Sequence, residues 1–169
     1  MTLSALGIAL TLLSLIAVLA FERLGRDAGV KLTKPLASTG FLLCAWGQGA
    51  WNSDYGQAVF VALALSWFGD VFLMFRRSQG FFKAGILAFL LAHIAFVAAF
   101  VLGGITLLWS ALALVPVLTL AVLVWRWLTP HVAGNMRRPV SAYVGVISLM
   151  VVCAAGTPAA GQPPERLIG

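Results

Sequence analysis

Gln57-Ala58-Val59-Phe60-Val61-Ala62-Leu63-Ala64-Leu65-Ser66-Trp67-Phe68-Gly69-Asp70-Val71-Phe72-Leu73-Met74-Phe75 is the stretch that decides the fold class. It is almost continuously apolar and long enough to cross the roughly 30 Å hydrocarbon core of a bilayer as one helix. It holds a single charge, Asp70, and closes on Arg76-Arg77. Comparable apolar runs cover residues 3–21, 35–51, 84–102, 105–125 and 139–156. The chain has 169 residues, of which 62% are hydrophobic and 9% charged. Its mean hydropathy is +1.02. A soluble domain carries about 25% charged residues, needed to cover its surface with polar groups. Lipid removes that need, and in lipid only helices or closed barrels satisfy the backbone. Barrel strands would be alternating segments of about ten residues, whereas these runs are continuous. The expected fold is all-α: a polytopic transmembrane helical bundle of about six spans.

The loops orient it. Arg23, Arg26, Lys31 and Lys34 follow the first run. Arg76, Arg77 and Lys83 follow the third, and Arg126, Arg137 and Arg138 the fifth. The loops after the second and fourth runs hold no Lys or Arg. Basic residues stay in the cytoplasm, so the N-terminus is expected outside, in a bacterial inner membrane. The net charge of +6 therefore implies a lipid bilayer partner and no nucleic acid. Trp46, Trp51, Trp109, Trp125 and Trp127 lie near run ends, as interfacial anchors do. The first run has no basic residue before it and is long for a signal peptide, so it is expected to be a retained span. Cys44 and Cys153 fall inside apolar runs, which argues against a disulfide or zinc site. No metal and no cofactor are expected. Residues 1–156 are expected to form a single transmembrane domain, and 157–169 a Pro/Gly-rich tail carrying Glu165 and Arg166. The second helix is expected to begin at Pro35, where the missing N–H costs nothing. Pro116 is expected to kink the fifth.

Polar residues inside the membrane are costly, and so they point to function. Asp70 lies about 7 Å inside the cytoplasmic end of its run, by helical rise. It suits an acid, a base or an ion ligand; the plain alternative is a carboxylate that reaches the interface or pairs with a cation. Ser66 precedes it by one turn, on the same face. Lys34 stands at similar depth at the mouth of the second run, able to hold the carboxylate ionised or to receive a phosphate, or acting only as a basic anchor. Tyr143, four residues into the sixth run, can donate to either group, or serve as a belt aromatic. His93, midway along the fourth run, suits a general base or a substrate ligand; as a structural residue it bridges two helices. His131 lies in a basic loop and reads as solvated. Together these residues suggest a cleft open to the cytoplasmic leaflet, with a charged mouth and an apolar interior. That cleft suits a lysophospholipid-like amphiphile with a phosphate head and one tail. A proton- or cation-coupled transporter of small solutes, or a non-catalytic membrane protein, fits the same residues.

Five features appear in order: Lys34-Pro35; Gly69-Asp70-Val71-Phe72-Leu73; Phe82-Lys83-Ala84-Gly85; Phe89 with His93; and Pro139-Val140 with Tyr143 and Met150. In this order the chain resembles the YhhN family, which includes the mammalian lysoplasmalogenases. The resemblance covers residues 31–155. It implies an integral membrane hydrolase of about eight helices that cleaves the vinyl ether bond of lysoplasmalogens. Asp70 matches the Asp of the family's Gly-Asp motif and is implied as a catalytic carboxylate; His93 is the second expected catalytic residue. Lys34, His93 and Tyr143 match other polar positions of the family and are implied to bind the head group or order the site; with Ser66, one turn from Asp70, Lys34 and Tyr143 are the expected substrate-binding residues. The family carries a second Asp in a later helix. This chain ends at Arg166-Leu167-Ile168-Gly169, about where that helix would begin, so the C-terminal part is expected to be missing and these residues alone to be inactive or poorly stable.

Overall fold

A computed structural model of the chain describes residues 2–75, 77–132 and 134–157. Arg76 of the third loop and the expected tail with Glu165 and Arg166 lie outside the described residues. Six long helices account for most of the rest, and no strand occurs among the described residues. They are α1 (Leu3–Arg23), α2 (Asp27–Gly47), α3 (Asp54–Met74), α4 (Gln79–Leu102), α5 (Leu107–Leu128) and α6 (Arg137–Gly156). A 21-residue helix is about 31 Å long, close to the bilayer's hydrocarbon thickness. All but α2 are apolar and long enough to cross a membrane. The chain is thus an all-α protein with the character of an integral membrane protein.

Most helices start before their apolar runs do, because a helix continues into the interface wherever long side chains can carry their charges outward. The largest difference is in α2. It begins at Asp27, so Pro35 lies inside the helix and not at its start. Proline there removes one backbone hydrogen bond. Neighbouring hydroxyls supply polar contacts: Thr33 Oγ1 donates to the Gly29 carbonyl at 2.8 Å, and Thr39 Oγ1 to the Pro35 carbonyl at 2.8 Å. In a membrane, such hydroxyls help satisfy the backbone around an internal proline.

The chain divides into two compact units, Met1–Ala95 and Phe96–Gly169. In the first, α1 turns into α2 through Gly25, whose φ of 63° closes the helix end. The Gly25 N–H donates to Glu22 O at 3.1 Å and the Arg26 N–H to Phe21 O at 2.9 Å. This is the paired capping pattern that a left-handed glycine permits. The two helices then pack backbone to backbone. A Cβ added at Gly7 would lie 2.7 Å from the Gly40 carbonyl oxygen, and one at Gly40 would lie 2.7 Å from the Gly7 oxygen. Thr11 Oγ1 donates to the Ala37 carbonyl across the seam at 3.3 Å. Lipid gives helices no hydrophobic reason to associate, so close packing and hydrogen bonds must hold them together, and small residues allow both.

Between α2 and α3, Trp67 Nε1 donates to Thr39 Oγ1 at 3.0 Å. Between α3 and α4, Gly69 lies against the Phe89 ring, and Gly85 against Leu73. The well-buried positions are small, including Ala62, Ala92 and Ala99. Large aliphatic side chains such as Leu13, Leu107 and Val115 stay exposed, as suits an outer face made for acyl chains.

In the second unit, α5 and α6 form a pair. Ser110 Oγ donates to the Val152 carbonyl at 3.2 Å, and the Thr106 N–H to the Gly156 carbonyl at 2.7 Å. Gly156 leaves room for Ser110, since a Cβ there would overlap its hydroxyl.

Candidate functional site

The site forms in the first unit, where the basic ends of α1, α2 and α3 meet the start of α4. A cleft of about 830 Å³ opens there. Leu15, Val18 and Phe21 of α1 and Ala37 and Phe41 of α2 form much of its apolar wall, with Leu73, Met74 and Phe81. Its charged lining is Glu22, Asp27, Lys31, Lys34, Asp70 and Arg77. Each helix contributes through its register. On α2, Asp27, Lys31, Lys34 and Ser38 recur at spacings of four, three and four, which places them along one face.

Asp70 is the centre of the polar set. Its Oδ1 lies 3.5 Å from Lys34 Nζ. Its Oδ2 accepts a hydrogen bond from Ser38 Oγ. The side chain of Asp70 is 19% exposed and that of Lys34 47%, so the carboxylate is the inner partner and the ammonium the outer one. Gly69, the preceding residue, lets the Phe89 ring close against α3. A carboxylate held from two sides and walled by aromatic and aliphatic carbon has a fixed direction. It can accept a proton from a bound water, stabilise a cationic centre or hold a cation.

Lys34 and Asp70, both singled out by the sequence, are brought together. Ser66 lies one turn before Asp70 on α3, while the hydroxyl that reaches the carboxylate is that of Ser38, on α2. The sequence carried a faint signal for it: Ser38 lies one turn beyond Lys34, on the lysine's own face. His93 lies on α4, with its Nδ1 hydrogen-bonded to the Phe89 carbonyl. A carbonyl only accepts, so Nδ1 carries the hydrogen, and in the neutral ring the lone pair is on Nε2. Tyr143 lies on α6 in the second unit. His131 Nδ1 contacts the Trp127 carbonyl at 2.9 Å. Among the described residues, no three His, Cys, Asp or Glu side chains gather as metal ligands would.

The YhhN family profile matches residues 30–169, a span that includes Lys34, Ser38, Asp70, His93 and Tyr143. No curated protein and no solved structure matches the chain.

Proposed function

We propose that this chain, which belongs to the YhhN family, is an integral membrane hydrolase that cleaves the vinyl ether bond of a lysoplasmalogen or a related lysolipid. The observation that carries the reading is the Lys34–Asp70–Ser38 set on the wall of a cleft lined by both charged and apolar side chains. Such a cleft suits one tail and one polar head. The reaction adds one water. A proton is delivered to the vinyl carbon distal to the ether oxygen, leaving an oxocarbenium centre on the carbon that bears the oxygen. Water attacks that carbon and loses a proton. The hemiacetal then collapses, its C–O bond to glycerol breaks, and a fatty aldehyde and a glycerophospho-base result.

Asp70 suits the second half of this sequence. Its negative charge faces the cationic centre, and it accepts the proton of the attacking water. Lys34 balances that charge in the resting state, and Ser38 fixes the direction of the carboxylate. His93, in the same unit as the cleft, is our candidate for proton delivery. No cofactor takes part in these steps. We assign the protein to the bacterial inner membrane, with its basic loops in the cytoplasm.

The test is aldehyde release from a lysoplasmalogen in mixed micelles, using the product of the whole reading frame. Wild type should release aldehyde and Asp70→Asn should not. If wild type shows no hydrolysis while Asp70→Asn abolishes proton-driven uptake in vesicles, the transporter reading replaces this one. If neither assay responds to Asp70→Asn, the chain is a non-catalytic membrane protein.

A further inference from the structure

The mouth of the cleft holds more charge than the Lys34–Asp70 pair uses. Lys31, Arg77, Glu22 and Asp27 also line it. Among the described residues none of these four makes an ion pair, whereas Lys34 is engaged by Asp70. Lys34 is therefore the wrong cation for a phosphate, since a second anion beside it would compete with the carboxylate it already balances.

Register places the other groups. Lys31 precedes Ser38 on α2 by seven residues, about 10 Å of helix. Arg77 follows Asp70 by the same number of residues. Because Ser38 bonds Asp70 and the two helices run in opposite directions, Lys31 and the turn after α3 that carries Arg77 both lie on the mouth side of Asp70. Asp27 is a further turn outward on α2, and Glu22 occupies the last turn of α1. Passing inward, the cleft therefore presents carboxylates, then cations, then Asp70, with Leu15, Val18, Met74 and Phe81 alongside the charges and Phe41 beyond them.

We infer that Lys31 and Arg77 are the phosphate seat of this cleft, and that Glu22 and Asp27 receive a cation carried by the same head group. The inference rests on reading the cleft as a lysolipid site and assigns the residues that select the head. A zwitterionic phosphodiester head on a single tail presents its groups in the matching order: ammonium, phosphate, glycerol, ether, chain. A phosphate monoester would bring extra negative charge against Glu22 and Asp27 with nothing to offset it.

Binding of uncleavable probes tests this without hydrolysis. The full protein in maltoside micelles is titrated with dodecylphosphocholine, dodecyl phosphate and tail-free glycerophosphocholine, followed by intrinsic tryptophan fluorescence. Dodecylphosphocholine should bind tightest. Lys31→Gln and Arg77→Gln should each weaken it about tenfold, the scale of one charge-assisted contact. Glu22→Gln with Asp27→Asn should narrow its advantage over dodecyl phosphate. Lys31→Arg should keep binding, which separates lost charge from lost fold. Equal binding by the Lys31→Gln/Arg77→Gln double variant and wild type overturns the proposal. So does a preference for dodecyl phosphate, or equal binding of the tail-free probe. Selective binding with no aldehyde release would sink the hydrolase reading and leave this one standing. Aldehyde release from a protein indifferent to these variants would do the reverse.

Discussion

Lys34 on α2 and Asp70 on α3 face one another at 3.5 Å across the wall of the cleft, the lysine outermost. Either residue alone leaves a charge at the edge of a membrane-embedded wall. Lys34→Met and Asp70→Asn should each lower thermal stability in detergent, and the double variant should recover part of the loss. With Lys34 half exposed, the coupling should be modest, about 1 kcal/mol. A double-mutant cycle with no coupling would mean that the contact does not persist in solution.

Asp70 should dominate activity. Asp70→Asn keeps the shape and the Ser38 contact but cannot take a proton from water, so kcat for aldehyde release should fall by about a hundredfold or more. Binding of dodecylphosphocholine should change little. A variant that keeps its rate would remove Asp70 from the chemistry.

Ser38 is a positioning residue. Ser38→Ala frees one carboxylate oxygen and should cost about 1 kcal/mol of stability. It should lower kcat about tenfold and leave KM nearly unchanged. Ser66→Ala, one turn away from Asp70 on α3, should do neither. Reversed behaviour of the two serines would show that Ser66 is the partner in the working protein.

The α1–α2 seam should resist even one methyl group. Gly7→Ala and Gly40→Ala drive a Cβ to 2.7 Å from backbone oxygen, which rigid helices accommodate only by separating. Each should cost about 1–3 kcal/mol, read as a lower melting temperature in detergent. Gly145→Ala on α6 meets nothing within 4 Å and should stay within about 0.5 kcal/mol.

The loop charges make a prediction that needs no activity. A phosphatase fused after Asn52 or Gly103, in loops without Lys or Arg, should be exported and active. One fused after Gly25 should be inactive. The opposite pattern would invert the proposed orientation.

The helices are more legible in the sequence than the site is. Apolar runs of bilayer length mark a span because lipid demands little else, and the Asp70 and Lys34 charges stand out against that background. The start of α2 was hidden because the residues from Asp27 to Lys34 are polar in composition, yet their backbone is helical and their long side chains reach outward. Pro35 points the same way, since proline is most at home in a first turn. Ser38 was hidden for a different reason. Periodicity relates residues on one helix, and Ser66 was the serine on the helix of Asp70. Which serine reaches the carboxylate depends on how α2 rotates against α3, and the Trp67–Thr39 bond helps to set that rotation. The glycines of the seam were legible as small residues but not as a matched pair.

The short capped link through Gly25 has a consequence for biogenesis. Of the six helices, α2 is the one not apolar enough to qualify as a span by itself, while α1 is strongly apolar. The turn between them is too tight to let one enter lipid without the other, and the Gly7–Gly40 contact locks them face to face. The weaker segment therefore enters the bilayer as the passenger of the stronger. The cations and carboxylates at the cleft mouth are delivered to their depth by a hairpin, not by the hydropathy of the helix that carries half of them.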